Sequence, residues 1–148
     1  VEMDPGRTYV IADIPGLVEG ASEGVGLGHK FLRHVERCST LLHLVSANPF
    51  EDQSPAQRYT AIMQELSAYA PDLDQRPQIV VLSQVDLIDE ETRLTLMKEL
   101  QDVAGSQPVQ AVSSITGEGV QTVRGLLWDA IEKHRESSMI QEEPSADA

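Results

Sequence analysis

Residues 9–16 read Tyr9-Val10-Ile11-Ala12-Asp13-Ile14-Pro15-Gly16, and the junction inside them decides the fold. Tyr9-Val10-Ile11-Ala12 is a continuous apolar run, the pattern of a strand covered on both faces. It ends in a carboxylate and turns at a glycine. In phosphate-binding α/β proteins an Asp at such a strand end can hold a magnesium shell, and a Gly there lets a backbone N–H approach a terminal phosphate. Asp-x-x-Gly alone also arises by chance as turn chemistry. The strand before it and the glycines after it raise its weight: residues 16–28 hold Gly16, Gly20, Gly24, Gly26 and Gly28, which predicts a mobile loop. No Gly-x-x-x-x-Gly-Lys-Ser/Thr occurs in the sequence.

Outward from that junction, strands and helices alternate. Residues 1–3 can be a strand end, and Asp4-Pro5-Gly6-Arg7 is a turn by composition. Phe31, Leu32, Val35 and Cys38 keep helical spacing after the glycine-rich stretch. Residues 41–45 predict a second buried strand, broken by Asn48-Pro49. Ala56, Tyr59, Ile62, Met63, Leu66 and Tyr69 mark an amphipathic helix, with Ser54 before Pro55 fitting an N-cap and a first-turn proline. Residues 79–82 predict a third buried strand that ends near Asp86. Asp89 can cap a helix marked by Leu94, Met97, Leu100 and Val103, which Gly105 can end. Residues 109–112 predict a short fourth strand, and Val120, Val123, Leu127 and Ile131 a last helix. From Ser137 the chain turns polar and acidic, the composition of a disordered tail. Residues 1–136 therefore form one domain and 137–148 the tail. The alternation implies an α/β fold, a doubly wound and mostly parallel sheet with helices on both faces. Ligands in such a fold sit beyond the carboxyl ends of the strands. Asp13, Asp86 and Ser113 all follow strands, so they should converge on one rim.

Composition narrows the function. A chain of 148 residues suits one domain with a sizeable core. Opening at Val1 on the approach to a strand suggests a piece of a longer polypeptide. No apolar run approaches the ~20 residues that span a bilayer, and no secretory signal is expected. The one cysteine, Cys38, excludes an internal disulfide and fits a reducing, cytoplasmic setting as a core thiol. A net charge of −13 disfavours direct binding to nucleic acid or an anionic membrane. Lys30, Arg33 and Arg37 share one helix side, either a solvated face or a dock for an acidic partner. His29, His34 and His43 do not have metal-ligand spacing.

At the rim, the carboxylate of Asp86 in Ser83-Gln84-Val85-Asp86 can accept from the N1–H and exocyclic amine of guanine. Adenine presents the opposite pattern, so an Asp there discriminates; a plain loop Asp is the alternative. Ser113-Ser114-Ile115 opens a turn through Thr116-Gly117-Glu118-Gly119, where backbone N–H groups could meet the guanine O6 or simply start a helix.

The stretch 10–37, from Val10-Ile11-Ala12-Asp13-Ile14-Pro15-Gly16-Leu17 through Gly28-His29-Lys30-Phe31-Leu32-Arg33-His34-Val35-Glu36-Arg37, resembles the third GTPase motif and switch II of the Obg family. The resemblance continues through residues 41–45, Ser83-Gln84-Val85-Asp86 and residues 112–119, covering roughly 1–135. It implies a P-loop GTPase domain that is incomplete, without the first strand, P-loop and switch I. Its parent proteins bind GTP or GDP with magnesium and act in assembly of the large ribosomal subunit. By position, Asp13 would support magnesium through water, and Ile14, Pro15 and Gly16 would form the γ-phosphate sensor. Ser83, Gln84, Val85 and Asp86 would read guanine, and Ser113, Ser114 and Ile115 would border the base.

Three departures follow. The P-loop, whose lysine and backbone cradle the phosphates, is missing from the sequence. The family's Asn-Lys-x-Asp reads Ser83-Gln84-Val85-Asp86, which predicts weaker affinity with base preference kept. Leu17 stands where Ras-like proteins orient water with a Gln, in line with slow turnover. The chain alone is therefore expected to be inactive in hydrolysis. In the family's sheet, the strand leading to the P-loop lies between residues 9–12 and 41–45. A strand with four buried aliphatics contributes ~6–12 kcal/mol, comparable to the ~5–15 kcal/mol of a whole domain. The chain should then be marginally stable, or should close the gap by pairing two strands that do not belong together. Two other functions compete: a non-catalytic module docking through the switch II helix, and a phosphotransferase with Asp13 as nucleophile, which lacks its accessory motifs.

Overall fold

The computed structural model describes residues 1–13, 37–69, 72 and 75–142. Ile14, Pro15, Gly16, the glycine-rich stretch, the helix expected through Phe31 and Val35, Lys30, Arg33, His29, His34 and the last six residues lie outside the described residues.

β1 (Glu2–Asp4) and β2 (Arg7–Thr8) form an antiparallel hairpin. Its turn passes through Gly6 at φ 87°, a conformation that favours glycine. β3 (Leu41–Ser46), β4 (Gln78–Ser83) and β5 (Val109–Ala111) form a parallel sheet in the order β3-β4-β5. Three helices complete the described fold: α1 (Pro55–Tyr69), α2 (Glu90–Ala104) and α3 (Val120–Glu142).

The helix starts follow the sequence. Ser54 Oγ accepts from the Gln57 N–H at 3.2 Å while Gln57 Oε1 accepts from the Ser54 N–H at 2.9 Å, a reciprocal cap on α1. Asp89 Oδ1 accepts from the Thr92 N–H at 2.7 Å and caps α2. Gly105, at φ 65°, ends α2 as expected.

β4 is the centre of the core. Val80 and Leu82 join Val45, Tyr59, Leu100 and Ala111 on one face, with α1 and α2. Ile79 and Val81 point the other way, onto Tyr9, Val123 and Leu127 of α3. The period of two along a strand sends its residues alternately to both layers, which is why β4 reads as an unbroken apolar run.

Five expectations differ from the structure. Residues 9–12 are not a buried sheet strand: the strand is the two residues before them, Val10 is 92% exposed and Ile11 52%. Tyr9 is the last residue held, by an N–H bond to Val1 O at 3.0 Å and a hydroxyl bond to Arg124 O at 3.3 Å. Beyond it no described neighbour offers a ladder. The gap toward β3 is not closed by a false pairing either, since among the described residues β3 pairs only with β4. On α2, Leu94 and Val103 are exposed and the inward stripe is Leu96, Met97, Leu100 and Ala104. Cys38 lies half-buried in the connection before β3, not in a described helix. Finally, α3 continues through Ser137 to Glu142, supported by the Arg135–Glu132 pair at 3.0 Å and by Ser137 Oγ donating to Lys133 O at 3.0 Å.

Candidate functional site

The carboxyl ends of β3, β4 and β5 build one rim. β4 ends at Ser83, and the chain turns through Gln84 at φ 60° and ψ 35°, left-handed backbone that costs a non-glycine residue ~1–2 kcal/mol. It is the one non-glycine residue with positive φ among those described. Its neighbours hold it there. Ser46 Oγ, at the end of β3, donates to Gln84 Oε1. The Val85 N–H donates to Val112 O at 3.3 Å, and the Leu87 N–H to Gln84 O at 3.0 Å. The 3₁₀ turn Val85–Leu87 that follows buries Val85 as an anchor and leaves Asp86 exposed.

Ser113, at the end of β5, is 0% exposed and orients that carboxylate. Its Oγ donates to Asp86 Oδ1 at 2.8 Å and accepts from the Thr116 N–H at 3.2 Å. Its own N–H donates to Glu118 O at 3.0 Å, and its carbonyl accepts from the Gly117 N–H at 2.8 Å. A carboxylate has about four lone-pair positions, so one bond to Ser113 fixes Asp86 and leaves capacity for a ligand with two adjacent donors. Glu118 extends the network: its carboxylate meets the Arg93 guanidinium in two contacts of 2.9 Å, tying the turn to α2 and raising the Arg93 pKa through that bond.

The structure thus brings Gln84, Asp86 and Ser113 together. Ser114 and Ile115 stand exposed on the turn beside them, Ile115 at 82%. Ser83 is turned away, its Oγ donating to Val45 O at 3.3 Å. Asp13 is exposed and stands elsewhere, lining the cleft along β3 with Arg37. Sequence reasoning missed Ser46, whose signal was its position: Ser46 pairs in register with Ser83, so its hydroxyl ends beside the next residue of the turn.

A magnesium site does not emerge from these residues alone. Among the described residues no group of three His, Cys, Asp or Glu side chains could hold a metal. Among the described residues Asp13 contributes one carboxylate with no second ligand beside it, less than the near-octahedral oxygen shell magnesium demands.

A parallel sheet with helices on both faces is the architecture of an incomplete P-loop-type GTPase domain, and the oriented Asp86 stands on a strand-end turn of that sheet. Residues 1–84 match the family model described as 50S ribosome-binding GTPase. The chain is 40% identical over 141 residues to the GTPase Obg of Aquifex aeolicus, covering 95% of this chain and 41% of that protein. It is 42% identical over 137 residues to the GTPase Obg of Staphylococcus aureus strain COL, covering 93% and 31%. It is 41% identical over 143 residues to that of Caldicellulosiruptor bescii, covering 97% and 33%. The chain belongs to the 50S ribosome-binding GTPase family and is of the Obg type. It spans 31% to 41% of the length of these relatives.

Proposed function

We propose that this chain supplies the guanine-reading side of an Obg-type GTPase domain. The ligand is GTP or GDP, and Asp86 accepts from the guanine N1–H and exocyclic amine. The observation that supports this most is the bond from fully buried Ser113 Oγ to Asp86 Oδ1 at 2.8 Å. It fixes an otherwise exposed carboxylate at the rim where the fold binds ligands. Gln84, held by Ser46, offers its flat amide beside the base, and Ser114 and Ile115 border it.

With the nucleotide phosphates bound, Asp13 would hold magnesium through water, and Ile14, Pro15 and Gly16 would sense the γ-phosphate. Hydrolysis belongs to the longer protein. The family name supports the large ribosomal subunit as that protein's partner, and the cytoplasm is its proposed place. No described helix is long and apolar enough to cross a membrane. The net charge of −13 argues against direct nucleic-acid binding by this segment.

Amide shift titration tests the base reading. Guanosine at millimolar concentration should move the amides of Gln84, Asp86 and Ser114, adenosine should not, and Asp86→Asn should abolish the difference. Equal responses to both nucleosides would refute it.

A further inference from the structure

Between α1 and α2, at the end of the sheet opposite the rim, lies a cavity of about 440 Å³. That falls within the ~300–1,000 Å³ of small-molecule pockets. Tyr59, Met63, Gln78, Val103, Ala104 and Gln107 line it, and none of its described lining side chains is charged. Gln78 opens β4 and Ser83 closes it, so at ~3.3 Å per residue roughly 16 Å of strand separates this cavity from the rim. Gln78 and Ser113 are the two buried polar residues among those described. Ser113 is bonded at the rim, whereas Gln78 Oε1 has no hydrogen-bond partner among the described residues. Its dipole raises the proton affinity of the His43 ring beside it, at a geometry short of a hydrogen bond. The Gln78 Nε2 reaches Met63 Sδ at 3.3 Å, a weak acceptor. A buried carbonyl left unpaired is costly. The backbone around it is fixed: the Gln78 N–H donates to Gln107 Oε1 at 3.1 Å. Gln107 is held in turn, its N–H donating to Ala104 O at 3.3 Å and its carbonyl accepting from Gln101 Nε2 at 3.0 Å. With its Oε1 occupied, the Gln107 side chain has its N–H₂ to donate.

We propose that this cavity binds a small, neutral, planar molecule that carries a cyclic amide, a lactam N–H beside its carbonyl. Gln78 Oε1 accepts from the lactam N–H, and the Gln107 amide donates to the lactam oxygen. Met63, Val103 and Ala104 meet the apolar body of the ligand, and the flexible thioether of Met63 adapts to its outline. A lining without charged side chains offers no counter-charge to an ion. The net charge of −13 selects further against an anion. The site needs no nucleotide and stands whether or not Asp86 reads guanine.

The probe is isocarbostyril, a bicyclic lactam, compared with N-methylisocarbostyril, which lacks the N–H. The readout is the methyl and side-chain amide spectrum of the full chain. Isocarbostyril at millimolar concentration should shift the Met63 and Val103 methyls and the Gln78 and Gln107 amides. The N-methyl compound should bind ~10-fold or more weakly, the effect of about 1.4 kcal/mol. Gln78→Met keeps the side chain's length and removes the unpaired acceptor. It should unfold in urea at an unchanged or higher midpoint and bind both compounds alike, at the weaker level. Val103→Phe, at the exposed lip of the cavity, should block both. The proposal fails if millimolar isocarbostyril leaves Met63 and Val103 unmoved, as a cavity that holds only water would, or if the N-methyl compound binds equally well. It fails equally if folded Gln78→Met keeps the preference for the N–H, or if the shifts are confined to Gln84 and Ser114, which would put the lactam at the rim.

Discussion

Gly119→Ala should be the most damaging single-methyl change on the rim. Gly119 sits at φ 78°, and a Cβ there would lie 2.0 Å from Ala111 O and 3.2 Å from Ala111 C, both backbone atoms of β5. Neither can swing away like a side-chain tip. The left-handed backbone costs alanine ~1–2 kcal/mol, and forcing an atom into a packed site adds ~1–3 kcal/mol. The expected loss is about 2–5 kcal/mol, a large part of a domain's ~5–15 kcal/mol. Gly117 supplies the control. It has φ 84° with nothing within 4 Å of an added Cβ, so Gly117→Ala carries only the backbone term of ~1–2 kcal/mol. Urea unfolding of both variants, read at constant m-value, isolates the clash as their difference. Because Gly119 O accepts the Val123 N–H at 3.0 Å, the shift should also perturb the start of α3. A Gly119→Ala chain no less stable than Gly117→Ala would refute the close approach to Ala111.

Two further outcomes follow from the core and the rim. Burial lowers the His43 pKa from 6.5 to about 4, against a raising contribution from the Gln78 side chain. A pKa depressed in the folded state means that the unfolded chain takes the proton first as pH falls. Stability is therefore full above pH ~6.5 and lost down to pH ~4, by about 3 kcal/mol at 1.36 kcal/mol per unit; urea midpoints against pH should show this slope, and His43→Gln should flatten it. Ser113→Ala strands the Thr116 N–H and frees the Asp86 carboxylate, so it should cost ~1–3 kcal/mol and weaken the guanosine response; unchanged guanosine shifts would show that Asp86 needs no orienting partner.

What the sequence made legible was what depends on local pattern. The unbroken apolar run of β4, the Ser54 and Asp89 caps and the Gly105 stop are all matters of period or capping chemistry, and the structure has them. Asp86 and Ser113 could be placed on one rim because both follow strands of one parallel sheet. The misses depend on neighbours. Residues 9–12 have the composition of a sheet strand, but a ladder needs a partner, and past Tyr9 the described residues give none. The inward face of α2 is set by Leu96 and Ala104 as well as Leu100, which a spacing through Leu94 and Val103 did not distinguish. Ser46 could be tied to Gln84 only once the β3–β4 register was known. Asp13 has the right residue type and no described partner that would give it a ligand's geometry.

On the proposed reading, the two halves of a nucleotide site separate physically in this chain, and that separation can be measured. The proposed base side is held by bonds among the ends of β3, β4 and β5: Ser46 to Gln84, Ser113 to Asp86, Val85 to Val112. None of these crosses the cleft on the far side of β3. The phosphate side would need a cradle of backbone N–H groups and a lysine, as in P-loop proteins, and the sequence holds no such motif. The diphosphate of GDP should therefore add little to the affinity of guanosine, and its negative charge meets a chain of net charge −13. The expected ratio of guanosine to GDP dissociation constants with magnesium is within ~10-fold, or about 1.4 kcal/mol. A preference for GDP of ~100-fold or more would mean that groups on this chain already hold the phosphates, and the base side would no longer be separable from the rest.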